Sequence, residues 1–216
     1  MKLSKVTLDV LKNFATINQG LIFKPGKSIK TMNVMKNTFA VAQIPDDIQN
    51  EFAIYDLNEF LAAYSLTEGC DIVFKETMMS LISNGEELEY YYSSPSVVVS
   101  PGDKNITLPS IDKKFLLTKE VIDKIMKVSS VMKLKDIEID NTGIRVLNRN
   151  LVGNKHHIKL AVDCSTSESA VSVLKVEGLK LISADYDVAI CDKGLARFTS
   201  RSEEYKVEYH IALEIN

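Results

Sequence analysis

Cysteine is too scarce here to hold a fold together. Cys70, Cys164 and Cys191 lie far apart and are odd in number, so they make no disulfide framework, and a reducing cytosol is the natural setting. Nor does any apolar run approach the ~20 residues that a membrane-spanning helix needs. Met1-Lys-Leu-Ser-Lys5 leads straight into an amphipathic pattern, which argues against a cleaved secretion signal. The nine glycines sit singly at turns, and none belongs to a phosphate-cradling loop. Positive charge is not in excess either. The formal net charge is −3, which excludes a protein that grips nucleic acid with its whole surface, because such grips rest on neutralising phosphates. A segregated distribution, basic on one face and acidic elsewhere, stays open.

Reactive clusters are missing too. His156-His157 with Cys164 suggests a metal site, but adjacent strand residues point to opposite faces and do not ligate together easily. Asp46-Asp47 and Glu203-Glu204 read as solvated loop acids, not as a general acid/base pair. No Ser, Cys or Lys has a neighbour that would activate it. The expectation is a binding or scaffolding protein with no catalytic residues, cofactor or metal.

What the chain does have is a long-period echo. Leu3-Ser4-Lys5 opens a helical pattern with apolar residues at Leu8, Leu11, Phe14 and Ile17. Leu117-Thr118-Lys119, 114 positions on, opens another with Ile122, Ile125, Val128 and Val131 in register. Such a period means two copies of one domain in tandem, and 216 residues suffice for two domains of about 100 residues each. The expected division is a first domain over 1–95, a connector over 96–115 with three prolines nearby, and a second domain over 116–216.

Each half reads helix, three strands, helix, then strands. Helices are expected from Ser4 to about Gln19, from Asp56 or Asn58 to Leu66, from Thr118 to about Lys133, and weakly over Lys175 to Ile182, where Gly178 interrupts. Lys24-Pro25-Gly26-Lys27 reads as a hairpin turn between Leu21–Phe23 and the run from Ile29 to Met32, and Asn84-Gly85 as another. The short connections suit antiparallel hairpins, so the fold class is α+β: two similar domains of antiparallel sheet with two helices each. Val121, Ile122, Ile125, Val128 and Met132 are expected to face inward on the third helix.

Met1-Lys-Leu-Ser-Lys5, the stretch Val10 to Asn18 with Gly20, Ala53 to Asn58 with Phe60-Leu61, and Pro95-Ser96 with Val98 and Pro101 together resemble the sliding clamps of T-even-type bacteriophages, the processivity factors of phage DNA polymerases. The resemblance spans the whole chain in layout and is specific over about a quarter of it. It implies a DNA-clamp architecture: a homotrimeric ring around duplex DNA, held without sequence readout, with helices lining the hole and edge strands pairing between subunits. Twelve helices at roughly 9–10 Å spacing give about 35 Å across through the helix axes, enough for a duplex and water. It also implies an ATP-dependent clamp loader, a C-terminal peptide of the DNA polymerase as partner, tethering of late-transcription machinery, and action in the cytoplasm of the infected bacterial host.

Lys5, Lys12, Lys119, Lys124 and Lys127 are the expected DNA-facing residues, with Lys175 and Lys180 next; Asp56 and Glu59 make the potential uneven. Val97, Val98, Ile106 and Leu108 are candidates for the partner-peptide pocket. The alternating strand Tyr205, Val207, Tyr209, Ile211 and Leu213 either joins subunits or is buried in its own domain. The alternative to a clamp is a protein-interaction scaffold of two α+β domains that does not bind DNA.

Overall fold

The computed structural model describes residues 1–67, 69–149, 156–166 and 170–214. They fall into two compact units, Met1–Lys104 and Asn105–Asn216.

In the first unit, α1 (Lys5–Ile17) begins where Ser4 takes the N-cap and its Oγ accepts from the Thr7 N–H. Thr7, Val10, Leu11, Phe14 and Ile17 form the buried stripe, at the spacing of a 3.6-residue period. The helix ends at Asn18, before Gly20. Gly20 serves close approach instead: a Cβ there would stand 3.1 Å from the carbonyl oxygens of Ile54 and Tyr55 and from a Val98 methyl.

Four strands follow, β1 (Leu21–Phe23), β2 (Gly26–Met32), β3 (Thr38–Ile48) and β4 (Phe52–Ile54). The hairpin expected around Pro25 does not form between β1 and β2. β1 pairs with β4, and β2 with β3. Pro25 has no N–H to give a ladder, whereas Phe23 stacks on Phe52 with ring centroids 4.6 Å apart. α2 (Leu57–Leu66) is capped by Asp56, whose carboxylate accepts from the N–H groups of Asn58 and Glu59. It buries Leu57, Phe60 and Tyr64 and packs beside α1. The unit closes with β5 (Asp71–Phe74), β6 (Met78–Ser83) and β7 (Glu86–Tyr91) in an antiparallel sheet. Asn84 and Gly85 both have positive φ in the expected two-residue turn. Met1 extends this sheet beyond β5 through two hydrogen bonds with Ile72.

The second unit runs β8 (Lys113–Leu117), α3 (Lys119–Met132), β9 (Asp136–Asp140), β10 (Gly143–Leu147), β11 (His157–Leu160), β12 (Ser165–Thr166), β13 (Ser172–Lys175), β14 (Tyr186–Cys191), β15 (Leu195–Ser200) and β16 (Lys206–Ala212). Its antiparallel ladders run β11-β10-β9-β13 and β12-β8-β14-β15-β16. β8 falls largely within the expected connector. Its alternation of buried Lys113, Phe115 and Leu117 with exposed Lys114 and Leu116 marks a strand, paired to β14 and β12.

The echo in the sequence is an echo in space. α1 and α3 start 114 residues apart, and Ser4 and Thr118 each cap the N–H three residues on. In each unit a short segment ahead of the helix is laid on a later strand, Met1 on β5 and β8 on β14.

One expectation needs correction. Lys175 to Ile182 is not an α-helix but a 3-10 turn, Val176–Gly178, so the described residues contain three α-helices and the twelve-helix count for a trimer falls to nine. Gly178 and the following Leu179, which turns away at ψ 58°, leave no room for a second turn. Along the alternating strand β16, Val207, Tyr209, Ile211 and Leu213 are buried within the chain and Tyr205 is half-buried. Tyr209 Oη accepts from the Ile182 N–H at 3.0 Å, and Tyr186 Oη donates to the Ile182 carbonyl at 2.6 Å. Burial raises both phenols far above their ordinary pKa.

Candidate nucleic-acid interface

Two carboxylates seat the helices that carry the expected lysines. Asp46 of β3 brings one oxygen, Oδ2, to the first turn of α1, where it accepts from the Ser4 N–H at 2.9 Å, the Ser4 hydroxyl at 2.7 Å and the Thr7 hydroxyl at 2.5 Å. Asp185 Oδ1, ahead of β14, accepts from the Lys119 N–H at 2.7 Å. Both place negative charge where unpaired N–H groups and the helix dipole favour it. Asp46 therefore lies on a strand with a structural role, not in a solvated loop.

The exposed faces are only weakly basic. α1 carries Lys5 and Lys12 against Asp9; α3 carries Lys119, Lys124 and Lys127 against Glu120 and Asp123; α2 carries Glu59 alone. Several lysines are already engaged. Lys12 Nζ lies 3.5 Å from Asp9 Oδ1, and Lys119 Nζ lies 2.6 Å from Asp123 Oδ2. Lys5, Lys124 and Lys127 are exposed and make no ion pair among the described residues. The Asp123 hydrogen bond and charge raise the pKa of Lys119 above the ordinary lysine value, so it stays a full cation.

Lys175 is not on a helix face. It ends β13, and its Nζ lies 2.6 Å from Asp136 Oδ1 and 3.7 Å from Glu214. Burial alone would raise the Asp136 pKa. The Lys175 hydrogen bond and the Arg149 N–H outweigh it and hold the carboxyl below its ordinary value. Lys180 is exposed just past the 3-10 turn.

The connector residues divide. Val98 is buried against Gly20, while Val97 is 57% exposed. Ile106 and Leu108 are half-buried residues of the second unit. Val98 is thus taken up by the core of its own unit and offers no open surface to a peptide. The connector does border a cleft of about 180 Å³ in the first unit, lined mainly by Ile22, Lys24, Ser28, Lys30 and Asp103. Lys24 pairs there with Asp103 at 2.7 Å.

On the metal question, His157 lies on β11 and Cys164 is half-buried, and no group of three or more His, Cys, Asp or Glu suited to a metal is found among the described residues. One ionic network went unforeseen. Lys113, 1% exposed, places Nζ 2.6 Å from Asp192, which also accepts from the Ser172 hydroxyl at 2.6 Å. It joins the start of β8 to the β14–β15 turn and to β13, and nothing in its sequence context distinguished it from a surface lysine.

Helices α1 and α3 pack on antiparallel strands and carry their lysines outward. The family model for the DNA polymerase processivity factor matches residues 2–98. The sliding clamp of Vibrio phage KVP40 is 31% identical, over 95% of this chain and 97% of that protein. The chain belongs to the T4-type phage sliding clamps. The sliding clamp of Enterobacteria phage T4 is 30% identical over 99% of this chain and 97% of its own. Among solved structures, the proliferating cellular nuclear antigen of Entamoeba histolytica aligns with a TM-score of 0.72 at 10% identity, covering 99% of this chain and 98% of that one. The A. fulgidus PCNA bound to the C-terminal region of FEN-1 aligns at 0.69 and 13% identity, covering 100% and 97%. At those identities the likeness establishes the clamp fold alone.

Proposed function

We propose that three copies of this clamp close into a ring around duplex DNA, pairing β7 of one copy with β11 of the next. Both strands are hydrogen bonded on one side only among the described residues. They differ in charge: β7 carries Glu86, Glu87 and Glu89, of which Glu87 and Glu89 share Lys75, while β11 carries Lys159 and no acid. That complementarity is the observation that carries the proposal. A head-to-tail contact of two different edges closes into a ring when its rotation permits, and two clamp units per chain make three the closing number. The interface moves accordingly from the side chains of β16 to these edges.

The helices face the hole in this reading, and Lys5, Lys124 and Lys127 meet phosphates first, with Lys12 and Lys119 exchanging between carboxylate and phosphate. A ring holds DNA by topology, so weak contacts suffice and the net charge of −3 is no obstacle. The clamp has no catalysis of its own. It tethers the DNA polymerase through a C-terminal peptide, is placed by an ATP-driven loader, and works in the cytoplasm of the infected cell, where it also tethers late-transcription machinery.

Native mass and retention on circular against linear DNA test the ring. A trimer that stays on closed circles and runs off linear ends is expected. A monomer indifferent to DNA topology would instead favour the interaction scaffold. Glu87→Lys with Glu89→Lys should dissociate the ring, and Lys159→Glu on the same chain should restore it.

A further inference from the structure

The exposed edge β11 ends where one stretch of backbone crosses another. Its ladder with β10 stops at the pair Leu160–Ile144, one residue short of Gly143. There the chain passes over the glycine on its way to β12. A Cβ on Gly143 would stand 2.4 Å from the Leu160 carbonyl oxygen and 3.3 Å from the Val162 nitrogen. Real Cβ atoms do not come within 3.0 Å of a neighbour, and this neighbour is main chain, which has no rotamer to yield. Gly143 also sits at φ +125°, a backbone conformation that favours glycine.

The two sides of the crossing are unequally held. The β9–β10 turn is braced: Asp140 accepts from the Thr142 N–H at 2.7 Å and from its hydroxyl at 2.6 Å, and Arg145 lies 3.3 Å from the same carboxylate. β10 is paired on both sides, whereas β11 is hydrogen bonded on one side only among the described residues. An atom added at Gly143 therefore displaces β11, not the turn.

We propose that Gly143 is a positioning residue for ring assembly. Its missing side chain lets the chain cross at Leu160 and keeps β11 in line with β10, where β7 of the next copy can pair with it. The inference rests on the β7–β11 pairing proposed above and adds the device that holds one of the two edges in place. Edge pairing needs a row of N–H and C=O groups at a strand spacing of about 4.7–4.9 Å. A strand pushed out at one end no longer offers that row.

Gly194 supplies the control. It has nearly the same φ, +121°, in the turn between β14 and β15, and nothing lies within 4 Å of where its Cβ would stand. Alanine at either position bears the backbone strain; only at Gly143 does it also meet the crossing chain. Native mass spectrometry of the full chain over a dilution series reads subunit affinity. Hydrogen exchange reads β11 directly in the Glu87→Lys, Glu89→Lys background, where the ring is apart. Gly143→Ala should weaken assembly at least tenfold and speed exchange of the β11 amides, while Gly194→Ala should do neither. A Gly143→Ala ring as tight as the parent's overturns the inference and leaves the ring itself standing. Equal weakening by Gly194→Ala overturns it as well, by assigning the effect to strain. So does weakened assembly with β11 exchange unchanged, or a Gly143→Ala chain that fails to fold, since the crossing would then support the whole unit. A parent chain that does not assemble at all sinks the β7–β11 reading, and this inference with it.

Discussion

Asp46 accepts two hydrogen bonds from Ser4, one from its backbone N–H at 2.9 Å and one from its hydroxyl at 2.7 Å. Residues 42 positions apart are thereby locked together, and the start of α1 is pinned to β3. A carboxylate meeting several donors is worth more than a neutral acceptor, about 1.5–3 kcal/mol for each charged hydrogen bond removed in a buried setting. Asp46 is only half-buried, so Asp46→Ala should cost about 2 kcal/mol in urea unfolding, with Asp46→Asn between it and the parent. A cost under about 0.5 kcal/mol would mean that water replaces the carboxylate without loss.

Phe14 is wholly buried on the inward stripe of α1. Phe14→Ala should destabilise by about 3–5 kcal/mol, the usual range for emptying an aromatic site. The midpoint of denaturant unfolding measures it, and a loss near zero would place Phe14 outside the core.

The lysines should separate into two classes. Lys124→Glu and Lys127→Glu remove cations without an internal partner, so they should reduce retention on circular DNA more than Lys12→Glu or Lys119→Glu, whose ammonium groups are shared with Asp9 and Asp123. All four should leave the thermal midpoint nearly unchanged, because exposed pairs contribute about 0–1 kcal/mol. Equal retention losses would show that local pairing does not govern phosphate contact.

Acid should weaken the Asp136–Lys175 pair. The Asp136 carboxyl sits below its ordinary value in the folded state, so it stabilises the second unit at any pH above its unfolded pKa of about 3.9 and loses that contribution as pH falls through the folded value. Asp136→Asn should therefore be less stable at pH 7, and its deficit should shrink below about pH 4. A deficit independent of pH would assign the effect to packing.

His210 works over a milder range. It is buried on β16 opposite Arg197, with Glu208 on the same strand. Burial lowers its pKa below 6.5, Glu208 opposes this, and Arg197 adds to it. A histidine folded in its neutral form stabilises above its unfolded pKa and loses that contribution as pH drops below about 6.5 toward the folded value. The melting temperature should fall between pH 7 and 5, and His210→Phe should flatten that slope.

Local signals were the most legible in the sequence. Ser4 and Thr118 as caps, Asn84-Gly85 as a tight turn and the 114-residue echo rest on neighbours in the chain, where propensity and periodicity act directly. Long-range pairings were not. β1 reaches β4 instead of β2 because an aromatic stack outweighs the nearer partner. β8 lay in a proline-rich stretch, and its inward residues include a lysine, so alternation alone did not reveal it. On α3, Val131 and Met132 follow the apolar register yet are 75% and 41% exposed, because no second helix covers that end. The lysines were visible as a set, but their carboxylate partners one helical turn away had to be seen in three dimensions.

The pairing of Lys12 with Asp9 and of Lys119 with Asp123 bears on how a duplex travels through such a protein. Each of these ammonium groups already has an acceptor, so engaging a passing phosphate is a swap of partners rather than a fresh capture. In the proposed ring little energy separates the two arrangements at these exposed pairs, so neither lysine becomes a trap. In that ring, friction at Lys12 and Lys119 is low because each is half-occupied before the DNA arrives.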